Sequence, residues 1–252
     1  MPNGLENKMR QTVFVADVHL SAATGDLTEL FCRSVERWRG RAEALYILGD
    51  LFDAWVGDDA ADDTARTVAR ALRGFADTAP VYFVAGNRDF LLGRGFAAQA
   101  GMVLLPERSV VSLYGRRYLL MHGDELCSDD GAYRCFRALI RQTWLTALLL
   151  RLPVAWRWRV AARLREGSSK RQQRPEVYRR TDATETGMAR AWAGFRAADA
   201  LIHGHTHRPA VHRHCLNGRN IVRYVLPDWH GGRGGYLSVS PQGVQLRSLP
   251  EN

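Results

Sequence analysis

Asp17 and His19 stand two residues apart where the apolar run TVFVADVHL ends, so a hard carboxylate sits beside an imidazole. If the strand continues through them, its period of two turns both side chains to one face. Such a pair suits a divalent transition ion such as Mn²⁺, Fe²⁺ or Zn²⁺. Alone it would read as two solvated residues, but three further apolar runs end the same way. ALYILGD ends in Asp50, PVYFVAGN in Asn87 and RRYLLMHGD in His122. A fifth run leads into HGHTH, whose His203, His205 and His207 again alternate at a period of two. Five strand ends carrying ligand-type residues are expected to converge on one crevice outside the carboxyl ends of the strands. Glycine next to the ligand positions fits turns where the chain comes close to an ion.

The elements that must position these residues can be read from hydrophobic period. In the first half, TVFVADVHL, ALYILGD and PVYFVAGN alternate with helical patterns near Leu27 to Trp38 and Asp63 to Phe75. That alternation predicts βαβ units and a partly parallel, buried sheet. MVLLP, SVVSLYG and RRYLLMHGD predict a second, hairpin-rich sheet, and ALIHGHTHRP, IVRYVLPDW, GYLSVSP and VQLRSL are again strand-dense. The expected fold is α+β of αββα type, a two-sheet sandwich flanked by helices. Between the strand-rich parts, residues from about 131 to 199 differ in kind. YRCFRALIRQTWLTALLLRLP has apolar residues at helical spacing with arginines opposite, AWRWRVAARLR predicts a second basic helix, and GSSKRQQRPE predicts a polar loop.

With 252 residues and 46% hydrophobic content, one domain spanning 1–252 with that insertion is the natural expectation. The net charge of +9 is local: residues 131–180 hold 13 Lys+Arg against 2 Asp+Glu, a net +11, leaving −2 for the rest. One basic, apolar-rich segment fits an anionic membrane surface or an anionic lipid better than nucleic acid, for which basic residues would spread along a groove. Trp144, Trp156 and Trp158 among the arginines suit a lipid interface. TWLTALLL is far short of the roughly 20 residues that span a bilayer. The polar start, MPNGLENKMR, has no signal-peptide pattern, so a cytoplasmic protein, peripheral on the inner membrane, is expected. Cys32, Cys127, Cys135 and Cys215 lack CxxC spacing and are expected to be reduced, mostly buried thiols.

In order, DVH, GDLFD, GNRD, HGD and GHTH resemble the DxH, GDxxD, GNHD or GNHE, H and GHxH blocks of the calcineurin-like metallophosphoesterases, from Asp17 to His207. That resemblance implies two divalent cations, Mn²⁺ by family precedent. One would be held by Asp17, His19 and His207 and the other by Asn87, His122 and His205, with Asp50 bridging. It also implies that Asp53 orients a ligand, while His203 packs or hydrogen-bonds behind the site.

Where most of that superfamily has histidine, GNRDF has Arg88. With WVGDD, HGDELCSDD, the basic insertion and HGHTHRPAVH, the chain resembles the UDP-2,3-diacylglucosamine pyrophosphohydrolase branch. The resemblance implies a UDP-linked diacylated glucosamine lipid as substrate, with no protein partner required. Water would attack the phosphorus bearing uridine, and Asn87, Arg88, Asp130, Ser168 and His205 would contact substrate. The insertion would act as a lid receiving the acyl chains. The expelled sugar 1-phosphate is already a stable anion, so a guanidinium can replace histidine by stabilising charge. The alternative for Arg88 is an anchor to Asp89. Rival functions are hydrolysis of soluble nucleotides, which needs no such insertion, and a non-catalytic basic membrane-binding module, which needs no ligand blocks.

Overall fold

Four short apolar strands line up in parallel because each is joined to the next by a crossover. They are β1 (Thr12–Val15), β2 (Ala44–Leu48), β3 (Val81–Val84) and β4 (Met102–Leu105). The crossover helices are α1 (Gly25–Trp38), α2 (Asp63–Ala76) and α3 (Arg94–Ala100). The computed structural model describes residues 10–127, 131–172, 183–195, 197–216 and 218–250, without the side chains of 132–134, 136, 166–172 and 216.

In α1, Leu27, Leu30, Phe31, Val35 and Trp38 recur at helical spacing and are buried, and in α2 the buried set is Ala65, Val68, Ala69, Leu72 and Phe75. Each stripe faces the sheet. The α2 start is fixed by Asp62, whose carboxylate accepts the Ala65 N–H at 2.8 Å.

The second sheet holds β5 (Ser109–Leu113), β6 (Arg116–Leu120), β7 (Ala200–His203), β8 (Ala210–Leu216) and β9 (Arg219–Val225) in the order β5-β6-β7-β9-β8. The chain then returns to the first sheet as β10 (Gly234–Ser240) and β11 (Gly243–Leu249), giving the order β11-β10-β1-β2-β3-β4. Alternation along the strands divides the core. Val13 and Val15 join the layer under α1 and α2, whereas Phe14, Tyr46, Leu48 and Val84 meet Tyr118, Leu120, Ile202 and Tyr224 between the sheets. On the outer face of the second sheet, Leu119, Met121 and Leu201 pack with Met188, Ala191 and Trp192 of α7 (Glu185–Ala193). The layers are therefore αββα, as expected from the sequence.

Several boundaries differ from that expectation. MVLLP is the edge strand of the first sheet rather than part of the second, because α3, absent from the hydrophobic reading, returns the chain parallel to β3. The long insertion pattern is two helices, α4 (Gly131–Ile140) and α5 (Thr143–Arg151), broken at Gln142, whose backbone is extended. Leu152 is also extended, as expected of a residue before proline. The next helix, α6 (Val154–Gln172), runs through GSSKRQ, which composition assigned to a loop. Cys135 and Cys215 are exposed, whereas Cys127 is buried. No helix among the described residues is long and apolar enough to cross a membrane.

Candidate metal centre

The strands end before the ligands begin. β1 stops at Val15, two residues short of Asp17, and β7 stops at His203. Asp17 (φ 52°), His19 (55°), Asp50 (53°), His205 (68°) and His207 (52°) all adopt left-handed backbone. Strand period is therefore not what brings Asp17 and His19 to one site, contrary to the expectation from sequence. The two side chains do meet, but left-handed turns past the strand end put them there, and His205 and His207 sit in the same kind of turn past β7. Each such non-glycine conformation costs on the order of 1–3 kcal/mol and persists only where its surroundings impose it.

The surroundings are the neighbouring loops. The N–H of Asp17 donates to Gly49 O at 3.1 Å, and those of Val18 and His19 to Asp50 O at 2.9 and 3.0 Å. Gly204 N–H donates to His122 O at 2.8 Å, and His205 N–H to Asp17 Oδ2 at 2.7 Å. Glycine is required where these loops press together. A Cβ on Gly86 would collide with the Asp50 carboxylate and one on Gly204 with that of Asp17.

The result is two adjoining groups. Ligand atoms of Asp17, His19 and His207 lie within 4.8 Å of one another, as do those of Asp17, Asp50 and His122. His207 Nε2 is 3.4 Å from Asp17 Oδ1 and 3.5 Å from His19 Nε2. His122 Nε2 is 3.7 Å from Asp50 Oδ1 and 2.8 Å from Asn87 Oδ1, which is 3.2 Å from His205 Nδ1. All seven expected ligands are thus brought together, and the carboxylate common to the two groups is Asp17. Two buried atoms here, Asp17 Oδ1 and His19 Nδ1, have no hydrogen-bond partner. An orphaned carboxylate oxygen amid imidazoles and an amide oxygen is the donor chemistry that divalent transition ions take, so the residues fit a metal pair.

Electrostatics agree with that donor set. Burial, with Arg88 adding, pushes His19 down to about 3, and burial with His122 pushes His205 down to about 4. Both are neutral imidazoles with free lone pairs near pH 7. Burial also opposes the charge on Asp17, but His207, His122 and His19 outweigh it and hold its carboxyl below the usual range. For Asp50 burial prevails, helped by Asp89 and Asp17, and raises it to about 7 against the pull of His122 and Arg88. His122 Nδ1 faces Leu48 O at 2.9 Å, which directs Nε2 into the site. Asp228 Oδ2 lies 3.6 Å behind His207 Nδ1.

Other residues take places that the sequence reading did not give them. Asp89, fully buried, accepts the N–H of Leu51 at 2.7 Å and of Gly86 at 2.8 Å, tying the Asp50 and Asn87 loops together. It does not anchor the Arg88 guanidinium, which pairs with Asp53 and lies 3.6 Å from Asp50. Asp53 accordingly contacts arginines, Arg88 on one side and Arg165 of α6 on the other. His203, by contrast, lies behind the site as the resemblance implied, its Nδ1 2.7 Å from Gly204 O and its Nε2 3.3 Å from Arg223. Asp124 is buried against Arg137 at 2.6 Å. The signal for Asp89 and Asp124 was a carboxylate two places after a candidate ligand, Asn87 and His122 respectively. Asp130 lies outside the described residues, and Ser168 lies in α6 with its side chain outside the description.

The insertion is fastened over these loops by its arginines. Arg141, just after α4, donates to Gly86 O at 2.7 Å. Arg157, only 4% exposed, donates to Val56 O at 2.6 Å and pairs with Asp59. The outer surface keeps Trp144 (62% exposed), Trp156 (58%), Leu148 and Leu150 open.

A two-sheet sandwich with this ligand set at its loop ends defines a metal-dependent phosphoesterase, and the chain belongs to the calcineurin-like phosphoesterases, whose family profile matches residues 11–209. It is 45% identical over 240 residues, covering 95% of this chain and 99% of the relative, to a UDP-2,3-diacylglucosamine hydrolase of Escherichia coli O7:K1. That of Escherichia coli O81 is 44% identical over the same coverage. Among solved structures, a dimetal phosphatase from Danio rerio shares the fold with a TM-score of 0.52 at 14% identity, covering 96% of this chain and 97% of that one.

Proposed function

We propose that this chain hydrolyses the pyrophosphate bond of UDP-2,3-diacylglucosamine, releasing UMP and 2,3-diacylglucosamine 1-phosphate, the step that this activity contributes to lipid A biosynthesis. The observation that carries the reading is the convergence of Asp17, His19, Asp50, Asn87, His122, His205 and His207 beneath a basic, tryptophan-bearing insertion. Its support from relatives is the 45% identity to the Escherichia coli hydrolase over nearly the whole length of both chains.

Two divalent cations, taken here as Mn²⁺, would be held by those seven residues and would supply Lewis acidity, lowering the pKa of water toward neutrality and neutralising phosphate oxygens. The chain's own groups do the rest. Neutral His19 and His205 offer lone pairs, and Asp89 and the Leu48 carbonyl fix the loops and the His122 ring. Attack is on the α-phosphorus, in line with the departing sugar phosphate. Arg88, beside Asp50, stabilises that departing anion with its planar guanidinium. Asn87, His205, Asp130 and Ser168 contact the substrate.

The segment 131–199 is an insertion within one domain, and its helices α4 to α6 cap the site and receive the acyl chains. Exposed Trp144, Trp156 and Trp158 among arginines dock the enzyme peripherally on the anionic cytoplasmic face of the inner membrane. No nucleic acid or protein partner is required. Supplying Mn²⁺-loaded enzyme with the diacylated UDP-sugar and, separately, with cyclic and dinucleoside polyphosphate nucleotides decides the substrate class. Turnover confined to the lipid supports the proposal, whereas preference for a soluble nucleotide refutes it.

A further inference from the structure

We infer that Arg165, carried by the insertion, positions Arg88 through the carboxylate of Asp53. The inference rests on the proposed lipid hydrolysis and names how the insertion acts on that same site. Asp53 divides its two oxygens, Oδ1 toward Arg88 and Oδ2 toward Arg165. A guanidinium facing a free carboxylate favours two parallel hydrogen bonds. With Oδ2 taken by Arg165, Arg88 is held to a one-oxygen contact, and its Nε stays 3.6 Å from Asp50 Oδ2 at the metal centre. The chain of charges Asp50, Arg88, Asp53, Arg165 thus runs from a candidate ligand to the insertion.

The reach of Arg165 follows from how α6 is seated. Arg157 and Arg165 are eight residues apart, so they share a helix face. Arg157 locks that face to Val56 O and Asp59, a few residues beyond Asp53. Between the two anchors lies a cavity of about 80 Å³ lined by Phe52, Asp53, Trp55, Trp158 and Arg165. Arg165 is half exposed, so its charge is not an element of the core and its place is set by Asp53. Lifting α6 would free Asp53 to take Arg88 fully and turn it away from the metal centre.

A double-mutant cycle tests this. Arg165→Met is expected to lower kcat about tenfold with little change in KM, as for a mispositioned group. It is expected to have no further effect in an Arg88→Ala background, since both changes act through one residue. Arg165→Lys keeps the charge without the fork and is expected to recover part of the rate. Arg163→Met, on the same helix, is the control expected to match the parent. The Nε–H resonance of Arg88, observed by NMR without turnover, is expected to shift in Arg165→Met and not in Arg163→Met. Multiplying effects of the two substitutions, or an unmoved Arg88 signal, would overturn the inference. If the parent enzyme left the lipid intact while the Arg88 signal still shifted, the failure would lie with the proposed reaction and not with the coupling.

Discussion

The Asp89 carboxylate accepts the backbone N–H of Leu51 at 2.7 Å, joining the loop that follows β2 to the loop that follows β3. Its other oxygen takes the Gly86 N–H, so one buried side chain sets the spacing between Asp50 and Asn87. Asp89→Asn keeps the shape but replaces one acceptor with an N–H₂ that meets a buried donor. The expected destabilisation is about 1–3 kcal/mol. Metal affinity should fall by about 10- to 100-fold, as for other residues that orient ligands. Urea unfolding and equilibrium dialysis against Mn²⁺ read the two effects.

Asp50 is buried between His122 and Arg88, 3.7 Å from one and 3.6 Å from the other. Asp50→Ala is expected to abolish metal-dependent hydrolysis by more than the roughly 100-fold typical of an outer residue. Chelation of the parent should match it, and re-addition of Mn²⁺ should restore the parent alone.

His203 supplies a pH test in the metal-free protein. Burial, with Arg223 adding, pushes it from the ordinary 6.5 down to about 3. A depressed histidine is neutral when folded and protonates once unfolded, so the unfolded chain binds more protons between those values. Its contribution to stability is complete above about 6.5 and is lost as pH falls toward about 3, by up to about 1.4 kcal/mol per pH unit. His203→Gln removes the titrating ring. Urea midpoints between about pH 6 and about pH 4 are expected to fall less steeply for the variant than for the parent.

Sequence alone picked out the residues that converge because their chemistry is carried by residue type, and five ordered blocks, four of them with glycine beside a candidate ligand, leave little freedom in which residues meet. How they converge was not legible. The period of two at Asp17 and His19 reads as strand, but both lie past β1 in left-handed backbone imposed by hydrogen bonds to Gly49 and Asp50. MVLLP carries nothing that says which sheet it joins; α3, a short helix with only Phe96, Ala97 and Ala100 buried, decides that. The insertion's charge was legible in amount but not in use. Arg137, Arg141, Arg157 and Arg165 are engaged with Asp124, Glu107, Asp59 and Asp53, so part of the basic excess fastens the insertion to its own domain.

That fastening predicts a local effect. Arg157→Met removes the contacts to Val56 O and Asp59. Amide exchange in α5 and α6 is expected to quicken by about tenfold or more while β1 to β3 remain protected. Equal acceleration in the sheets would mean that the insertion and sandwich open as one unit.

The most direct measurement is hydrolysis of UDP-2,3-diacylglucosamine by the Mn²⁺-loaded protein in ¹⁸O-enriched water, followed by mass analysis of both products. Water attack on the phosphorus bearing uridine puts the heavy oxygen in UMP and leaves the sugar phosphate unlabelled. Label in 2,3-diacylglucosamine 1-phosphate, or an intact substrate, would contradict the account.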